Sequence, residues 1–340
     1  MTGSTKKQNI IVSIISDHTI PNLRFIKEFI NISEYIFITT EEMRKNRKTL
    51  NLIDALNIPQ RKTKQITVPS FDMEGIEHIL LSNDFDNSKN YLVNITGGTK
   101  PMSITALTFF SAFKNVRIFY VPIGEGTYRQ IYPRISAAQK KFTTKITLRE
   151  YLGSYGLEIL SMEQTLKKEF KVAERIFNKM KLLGNLNKLE EITTAHNRNN
   201  ATDRTYFSGG WFEEYIYYKF KQMFDLKQNE IAFNVNLKND KSKNEYDVIF
   251  VHNDSIYIVE CKAYYGKSDA RAKIEKGLYK LGALDEDFGL KAKPVYITTY
   301  DFTENNRHQY KSLSERAKAL NVQLFHYRDL INENYLYKIK

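Results

Sequence analysis

The chain of 340 residues holds one cysteine, one tryptophan and seven prolines. A single thiol, Cys261, excludes an intramolecular disulfide framework and any zinc site built from several cysteines. The cytosol is then the default compartment. No run of about 18 apolar residues occurs, so the sequence predicts no transmembrane helix and no membrane partner. The stretch from Met1 to Asn9 is polar and basic, and the strand after it is too short and mixed for a signal peptide. Low-complexity runs and a clear internal repeat are also missing. Acidic residues are the minority charge: 51 Lys and Arg against 39 Asp and Glu give +12, which suits a polyanionic partner and says nothing about fold.

What the chain does have is apolar mass. Hydrophobic residues make up 42% and aromatics 13% of it, enough for two cores with a connector between them. The most informative stretch runs from Asn244 to Lys262. Two runs of alternating β-branched and aromatic residues flank the polar break His252–Ser255, the pattern of a β-hairpin. With Asn253-Asp254 as the turn, His252 faces Ser255 and Val251 faces Ile256. Counting outward sets Asp247 opposite Glu260 and Glu245 opposite Lys262. Opposed residues share a face with Cβ atoms about 4.5–5.5 Å apart, so two carboxylates there repel each other. A divalent cation between them removes the repulsion, and hard cations prefer carboxylate oxygens. Tyr246, Val248 and Phe250 against Tyr257, Val259 and Cys261 form the other face, which can pack on a core. Ile249, Val251, Ile256 and Ile258 share the carboxylate face, so that face is apolar until the charges appear at one end.

Upstream, from Asn9 to about Tyr132, strand and helix signals alternate. Strands are predicted at Asn9–Ile15, Tyr35–Thr39, Lys64–Val68, Tyr91–Ile95 and Val116–Val121. Helices are predicted from Pro21 to about Asn31, Glu41 to about Asn57, Asp72–Ser82 and Pro101 to about Phe113. This order implies parallel β-α units in a doubly wound sheet, whose ligands bind beyond the carboxyl ends of the strands. At one such end stands Asn94-Ile95-Thr96-Gly97-Gly98-Thr99-Lys100-Pro101. The glycines let the backbone turn and approach a ligand, Pro101 suits the first helical position, and N–H groups at a helix start attract anions. Thr96 and Thr99 add hydroxyls and Lys100 a cation. Neither the Walker A spacing nor the Gly-x-Gly-x-x-Gly fingerprint is present. The loop reads as a phosphate or ribose site.

From about Ser136 to Tyr206 the pattern turns helical, with signals at Leu148–Leu152 and Met162–Leu183 and a polar, Asn-rich loop from Asn185 to Asn200. This reads as a connector; a small winged-helix-like module is the alternative. The last part opens on Gly209-Gly210-Trp211-Phe212-Glu213-Glu214-Tyr215-Ile216. Glu213 shares a helical face with Ile216 and Phe220, Glu214 with Tyr217 and Tyr218, so Glu213 is expected inward and Glu214 is held in reserve. Strand signals follow at Glu230–Leu237, Glu245–Val251, Ile256–Lys262, Pro294–Thr299 and Gln323–Tyr327. A helix bearing Arg271, Lys273, Lys276 and Lys280 either lines a nucleic-acid path or is a solvated face.

Asp247 followed by Glu260-Cys261-Lys262 resembles the PD-(D/E)xK nuclease motif, with Tyr246 in place of the literal proline. The helix of Glu213 resembles the one that supplies a further acid in many of these nucleases. A Rossmann-like domain whose strand ends in Thr-Gly-Gly-Thr-Lys resembles the CARF domain, the cyclic-oligoadenylate sensor of type III CRISPR defence. Ser13 to Pro21 resembles that family's first strand and ligand loop. Together the motifs resemble the CARF-plus-PD-(D/E)xK nucleases, the CRISPR ancillary nuclease family. The resemblance implies an α/β chain: a Rossmann-like CARF domain with a parallel sheet over residues 1–138, a helical connector over 139–207, and a restriction-endonuclease-like α/β domain over 208–340. It implies a homodimer, activated by cyclic tetra-adenylate, that cuts DNA, RNA or both.

Carried onto this chain, the ligand residues are Thr96, Gly97, Gly98, Thr99 and Lys100, with Ser16, Asp17, Thr39 and Thr40 on the same sheet edge. Gly124-Glu125-Gly126-Thr127 is a further rim. Asp247, Glu260 and the Cys261 backbone carbonyl hold Mg²⁺ or Mn²⁺, with Glu213 near or in the shell, and Lys262 orients water or stabilises charge on the phosphorane. Two rivals stand beside this reading: a stand-alone restriction or repair nuclease with another nucleotide ligand, and a catalytically inactive nucleotide-sensing regulator.

Overall fold

The structure, a computed structural model, describes residues 9–134, 138–183, 205–240, 242–264, 270–283, 285–302 and 307–339. The Asn-rich loop expected from Asn185 to Asn200 and the basic start before Asn9 lie outside these residues. The chain divides into two compact units, Met1–Leu157 and Glu158–Lys340. None of the described helices is long and apolar enough to cross a membrane.

The first unit alternates β1 (Asn9–Ile14), α1 (Ile20–Glu28), β2 (Ile32–Thr39), α2 (Glu41–Lys45), α3 (Lys48–Ala55), β3 (Thr63–Thr67), α4 (Met73–Leu81), β4 (Asn90–Asn94), α5 (Lys100–Ser111) and β5 (Val116–Tyr120). It closes with β6 (Thr127–Tyr132), β7 (Lys140–Lys141) and α6 (Leu148–Ser154). The sheet order is β3-β2-β1-β4-β5-β6-β7, and β1 to β5 run parallel. β1 is central, and its apolar, β-branched run is buried on both sides, as a parallel sheet demands. The strand order reverses between β1 and β4, where Ser13 pairs with Asn94. That reversal is the crevice in which doubly wound sheets take ligands.

Three expectations change here. The predicted helix from Glu41 to Asn57 is two helices, because Arg47 adopts a left-handed backbone (φ 54) between them. Gly124-Glu125-Gly126 is the turn of an antiparallel hairpin, with both glycines at positive φ, so β6 extends the parallel sheet in the opposite sense and β7 pairs antiparallel with β6. Part of the predicted connector belongs to this unit: the Thr147–Glu150 capping box starts α6, which packs on α3 and α1.

The second unit has the sheet order β13-β12-β11-β10-β9-β8. Its strands are β8 (Glu158–Glu163), β9 (Ile231–Lys238), β10 (Lys243–His252), β11 (Ser255–Lys262), β12 (Ala292–Thr298) and β13 (Gln323–Phe325). β11, β12 and β13 are parallel, while β8 to β11 are antiparallel neighbours. The helical pattern expected from Met162 starts later, as α7 (Phe170–Leu183), because β8 pairs with β9 and tertiary pairing overrides the local period. With α8 (Trp211–Met223), α7 covers one face of the sheet, burying Trp211, Phe212, Ile216 and Phe220 against Val248, Phe250, Val259 and Cys261. On the other face α9 (Ala270–Gly282) packs on β11 and β12. Gly277 lets it approach, since a Cβ there would stand 2.3 Å from Cε2 of Tyr296. Both faces are covered, which explains why Ile249 and Ile258 are as buried as Val248 and Val259.

Candidate active site

The β10–β11 hairpin pairs His252 with Ser255 and runs in the expected register to Val248–Val259. There the ladder stops. Asp247 is not held across from Glu260 by backbone pairing. Its Oδ2 instead accepts the Cys261 N–H at 2.7 Å. Tyr246 also leaves the expected face: it is buried, but its ring packs edge-on against Phe288 and not in the core of Val248 and Phe250.

Strand alternation sends Val259 and Cys261 to the α8 face and Glu260 and Lys262 to the α9 face. Lys262 Nζ lies 3.0 Å from Asp247 Oδ2 and 2.8 Å from Glu260 Oε1. Lys280, reaching in from α9, puts its Nζ 3.1 Å from Glu260 Oε2 and donates to the Glu245 carbonyl at 3.2 Å. Reading α9 as a generic basic face misses this role; the signal is its spacing, since Lys280 lies three residues, close to one turn, beyond Gly277, which packs against Tyr296.

The carboxylates are under strain. Burial, and then Glu260, push Asp247 above the usual carboxylate range, against the pull of Lys262. Burial, and then Asp247, raise Glu213 to about 8. Burial by itself would depress Lys262, but Asp247 and Glu260 overcome it and raise the ammonium above an ordinary lysine. The Cys261 thiol is pushed well up, by burial first, consistent with a core side chain.

Glu213 and Glu214 separate in an unforeseen way. Glu214 is the more buried, at 2% exposure, and its carboxylate accepts the Lys167 N–H at 2.7 Å. Half-buried Glu213 senses Asp247 and Glu245. Helix α8 is packed on two sides, so apolar neighbours alone do not say which acid meets the sheet edge. Beside Glu213 opens a recess of about 520 Å³, lined by Tyr206, Gly209, Gly210, Asn234, Glu245 and Lys167 among others.

At the crevice of the first unit, the loop after β4 is braced by its own side chains. Asn94 donates to Asn22 at 2.7 Å, and Asn22 donates to the Ile14 carbonyl at 2.9 Å. Thr96 Oγ1 donates to Asn94 Oδ1 at 2.7 Å and accepts the Val121 N–H at 2.7 Å. Thr99 caps α5 by accepting the Met102 N–H and donates to the Ser70 carbonyl. Thr40 caps α2, and Thr39 is fully buried. The hydroxyls of Thr96, Thr99 and Thr40 are thus taken up within the scaffold. A Cβ on Gly97 would lie 2.1 Å from the Ile14 carbonyl oxygen, and Gly98 has φ 75. Gly98 and Lys100 are exposed at the rim; Lys100 is the first residue of α5 and Pro101 the second. On the β1 side, Ser16 is half-buried and exposed Asp17 pairs with Lys48 at 3.2 Å.

Residues 10–151 match the family model of the Card1 CARF domain, and residues 200–324 match that of the Card1-like endonuclease domain. Can2 from Sulfobacillus thermosulfidooxidans, solved in complex with cyclic tetra-adenylate, aligns with a TM-score of 0.76 and 19% identity over 98% of this chain and 100% of its own. Protein VC1899 from Vibrio cholerae aligns with a TM-score of 0.76 and 18% identity over 97% of this chain and 98% of its own. A type III CRISPR defence DNA nuclease activated by cyclic oligoadenylate aligns at 0.60 and 12% identity over 86% of this chain and 45% of its own. At these identities the likeness is one of fold. No curated protein matches the sequence.

Proposed function

The chain belongs to the family of Card1-like CARF-domain endonucleases, and from that premise we propose that it is a metal-dependent nuclease of type III CRISPR defence, activated by cyclic tetra-adenylate, that cuts DNA, RNA or both. The observation that carries the catalytic part is the meeting of Asp247, Glu260 and Lys262, with Glu213 sensing Asp247 from the neighbouring helix.

The donor set fits a hard divalent cation. Among the described residues no group of three or more His, Cys, Asp or Glu already surrounds one point, and Lys262 stands between Asp247 and Glu260. Burial first, and then the neighbouring carboxylates, raise Asp247 and Glu213, and a cation placed among them would offset both effects. Asp247, Glu260, the Cys261 backbone carbonyl and Glu213 would hold Mg²⁺ or Mn²⁺. The Cys261 N–H points to the β10 side, and the carbonyl of the same residue points that way too, past the end of the ladder. When bound, the ion supplies an acidified water and a polarised phosphate.

The chain's own groups do the rest. Lys262, held charged, orients the attacking water or stabilises charge on the phosphorane. Glu213, with its pKa near neutrality, holds or releases a proton beside Asp247. In the crevice of the first unit, the close backbone of Gly97 and Gly98 and the cation of Lys100 suit a ribose-phosphate ligand, with Ser16 and Asp17 opposite.

One such loop clasps only part of a cyclic tetranucleotide, and a two-fold dimer presents the same patch twice. A homodimer binding one ring is the matching assembly, and the ring favours cutting through its differential affinity for the active arrangement. The test is a thermal-shift screen of cyclic oligoadenylates, then cleavage of labelled DNA and RNA with and without the hit. Calorimetry with light scattering should give one ring per two chains. A monomer fully activated by one ring per chain rules the dimer out, and cleavage that ignores every cyclic oligoadenylate rules out the sensor.

A further inference from the structure

Asn234 sits inside β9 with a left-handed backbone, φ 48. Asn and Gly tolerate that region, and β-branched residues resist it. Three breaks in the sheet coincide at this residue. Towards β10 the register pairs Val235 with Tyr246 and Phe233 with Val248, and the pair between them, Asn234 with Asp247, is missing. Towards β8 the register slips between Ser161–Asn236 and Glu163–Phe233, leaving one extra residue in β9. On the far side of β10, the ladder with β11 ends at Val248–Val259. Asp247 therefore has no register partner on either flanking strand.

The consequence is chemical. Glu260 and Lys280 approach from the α9 face, and Glu213 belongs to the helix on the opposite face. A regular Asp247 would point to one face alone. Released from both ladders, its carboxylate instead meets the Cys261 N–H and Lys262 and is felt by Glu213. Bulges re-aim side chains in this way beside active sites. The Asn234 amide is itself fixed, donating to Glu163 Oε1 at 3.1 Å across β8.

We propose that Asn234 is a positioning residue for phosphodiester cleavage: its left-handed backbone opens the sheet at Asp247 and sets the aim of that carboxylate. The inference rests on the nuclease reading above. Its test compares wild-type, Asn234→Gly, Asn234→Ala and Asn234→Val full-length protein with saturating activator in steady-state cleavage. Glycine keeps the backbone and drops the amide, so Asn234→Gly should retain most of kcat. Asn234→Ala and Asn234→Val should lose about a hundredfold in kcat, the scale of an ångström-sized misplacement, with KM nearly unchanged. Should Asn234→Val fail to fold, as judged by circular dichroism, the Gly and Ala pair decides. Equal activity in all variants overturns the inference. So does a loss in Asn234→Gly as large as that in Asn234→Ala, which would assign the effect to the amide bond with Glu163. A wild-type protein that cleaves neither DNA nor RNA defeats the nuclease reading instead, and the two failures are told apart.

Discussion

The carboxyl edges of the two sheets are built on opposite principles. At the edge of the first unit the side chains of Asn94, Asn22, Thr96 and Thr99 are spent on the scaffold, satisfying one another or the backbone. What the loop after β4 turns outward is bare backbone at Gly98 and the cation of Lys100. At the edge of the second unit the side chains are charged, buried and crowded, and burial first, then the neighbouring carboxylates, push Asp247 and Glu213 up in pKa. The first arrangement suits reversible recognition by shape, because its rigidity is already in place before a ligand arrives. The second stores electrostatic tension that a cation relieves, which suits chemistry on a phosphate.

The largest effect should come from breaking the second edge. Asp247→Ala, Glu260→Ala and Lys262→Ala are each expected to lower cleavage by at least about a hundredfold while leaving the fold and activator binding in place. Cleavage assays with Mg²⁺ and with added Mn²⁺, beside a thermal-shift titration with the activator, check both halves. Full cleavage by Glu260→Ala with Mn²⁺ would remove Glu260 from the site.

Breaking the first edge should do the reverse: activation suffers and chemistry survives. Gly98→Val forces a β-branched residue to φ 75 and into contact with Ile14 and Met102. Lys100→Ala removes one charge-assisted contact, worth about a tenfold loss of activator affinity or somewhat more. Both variants should need more activator for half-maximal cleavage and reach the same maximum. Unchanged affinity in both, by titration calorimetry, would make this loop an ordinary turn.

How much of each edge was legible in the sequence follows from the same contrast. The hairpin register was readable because period-two patterning and the Asn253-Asp254 turn both fix it, and His252–Ser255 through Val248–Val259 agree with it. The end of the ladder at Asp247 was not, because a left-handed Asn234 leaves no mark in the hydrophobic pattern. The Thr-Gly-Gly-Thr-Lys loop was visible as a tight turn at a helix start. That its hydroxyls are consumed internally was not, since their partners Asn94, Val121 and Ser70 come from three separate segments. The choice of Glu213 over Glu214 rested on apolar neighbours, yet Glu214 is the deeper residue and Glu213 the one beside Asp247. Strand β8 overlaps the helical pattern from Met162 at its end, and no strand is expected there because its partner β9 lies far along the chain and nothing local announces the pairing.

A smaller effect sharpens the tension at the second edge. Glu213 titrates near 8 in the folded protein against 4.5 for an ordinary glutamate, through burial and then Asp247. Between those values the folded state binds more protons than the unfolded state, so stability falls as pH rises and levels off above the folded value. Below pH 4.5 the carboxyl is neutral in both states and costs nothing. Glu213→Gln should therefore match wild type in melting temperature at low pH and exceed it by on the order of a few degrees at pH 8 without metal. Millimolar Mg²⁺ should shrink the gap. A gap that is constant with pH would mean that Glu213 is not ionising against its neighbours.

The smallest effect concerns Lys280, the cation that joins the site from α9. It neutralises Glu260 at 3.1 Å and is itself partly exposed, so water and salt weaken the pair. Removing it leaves the carboxylates with more net negative charge, which should tighten their hold on a divalent ion. It also loosens Glu260, which should slow the chemical step. The two consequences oppose each other at low metal and separate at saturation. Lys280→Met is therefore expected to reach half-maximal cleavage at about two- to fivefold less Mg²⁺, with a modestly lower maximum. Measuring cleavage across a Mg²⁺ series at two ionic strengths resolves them, because only the electrostatic part fades with salt. A higher Mg²⁺ requirement in the variant would show instead that Lys280 acts mainly by fixing Glu260 in place. The tension at this edge would then be relieved by geometry and not by charge.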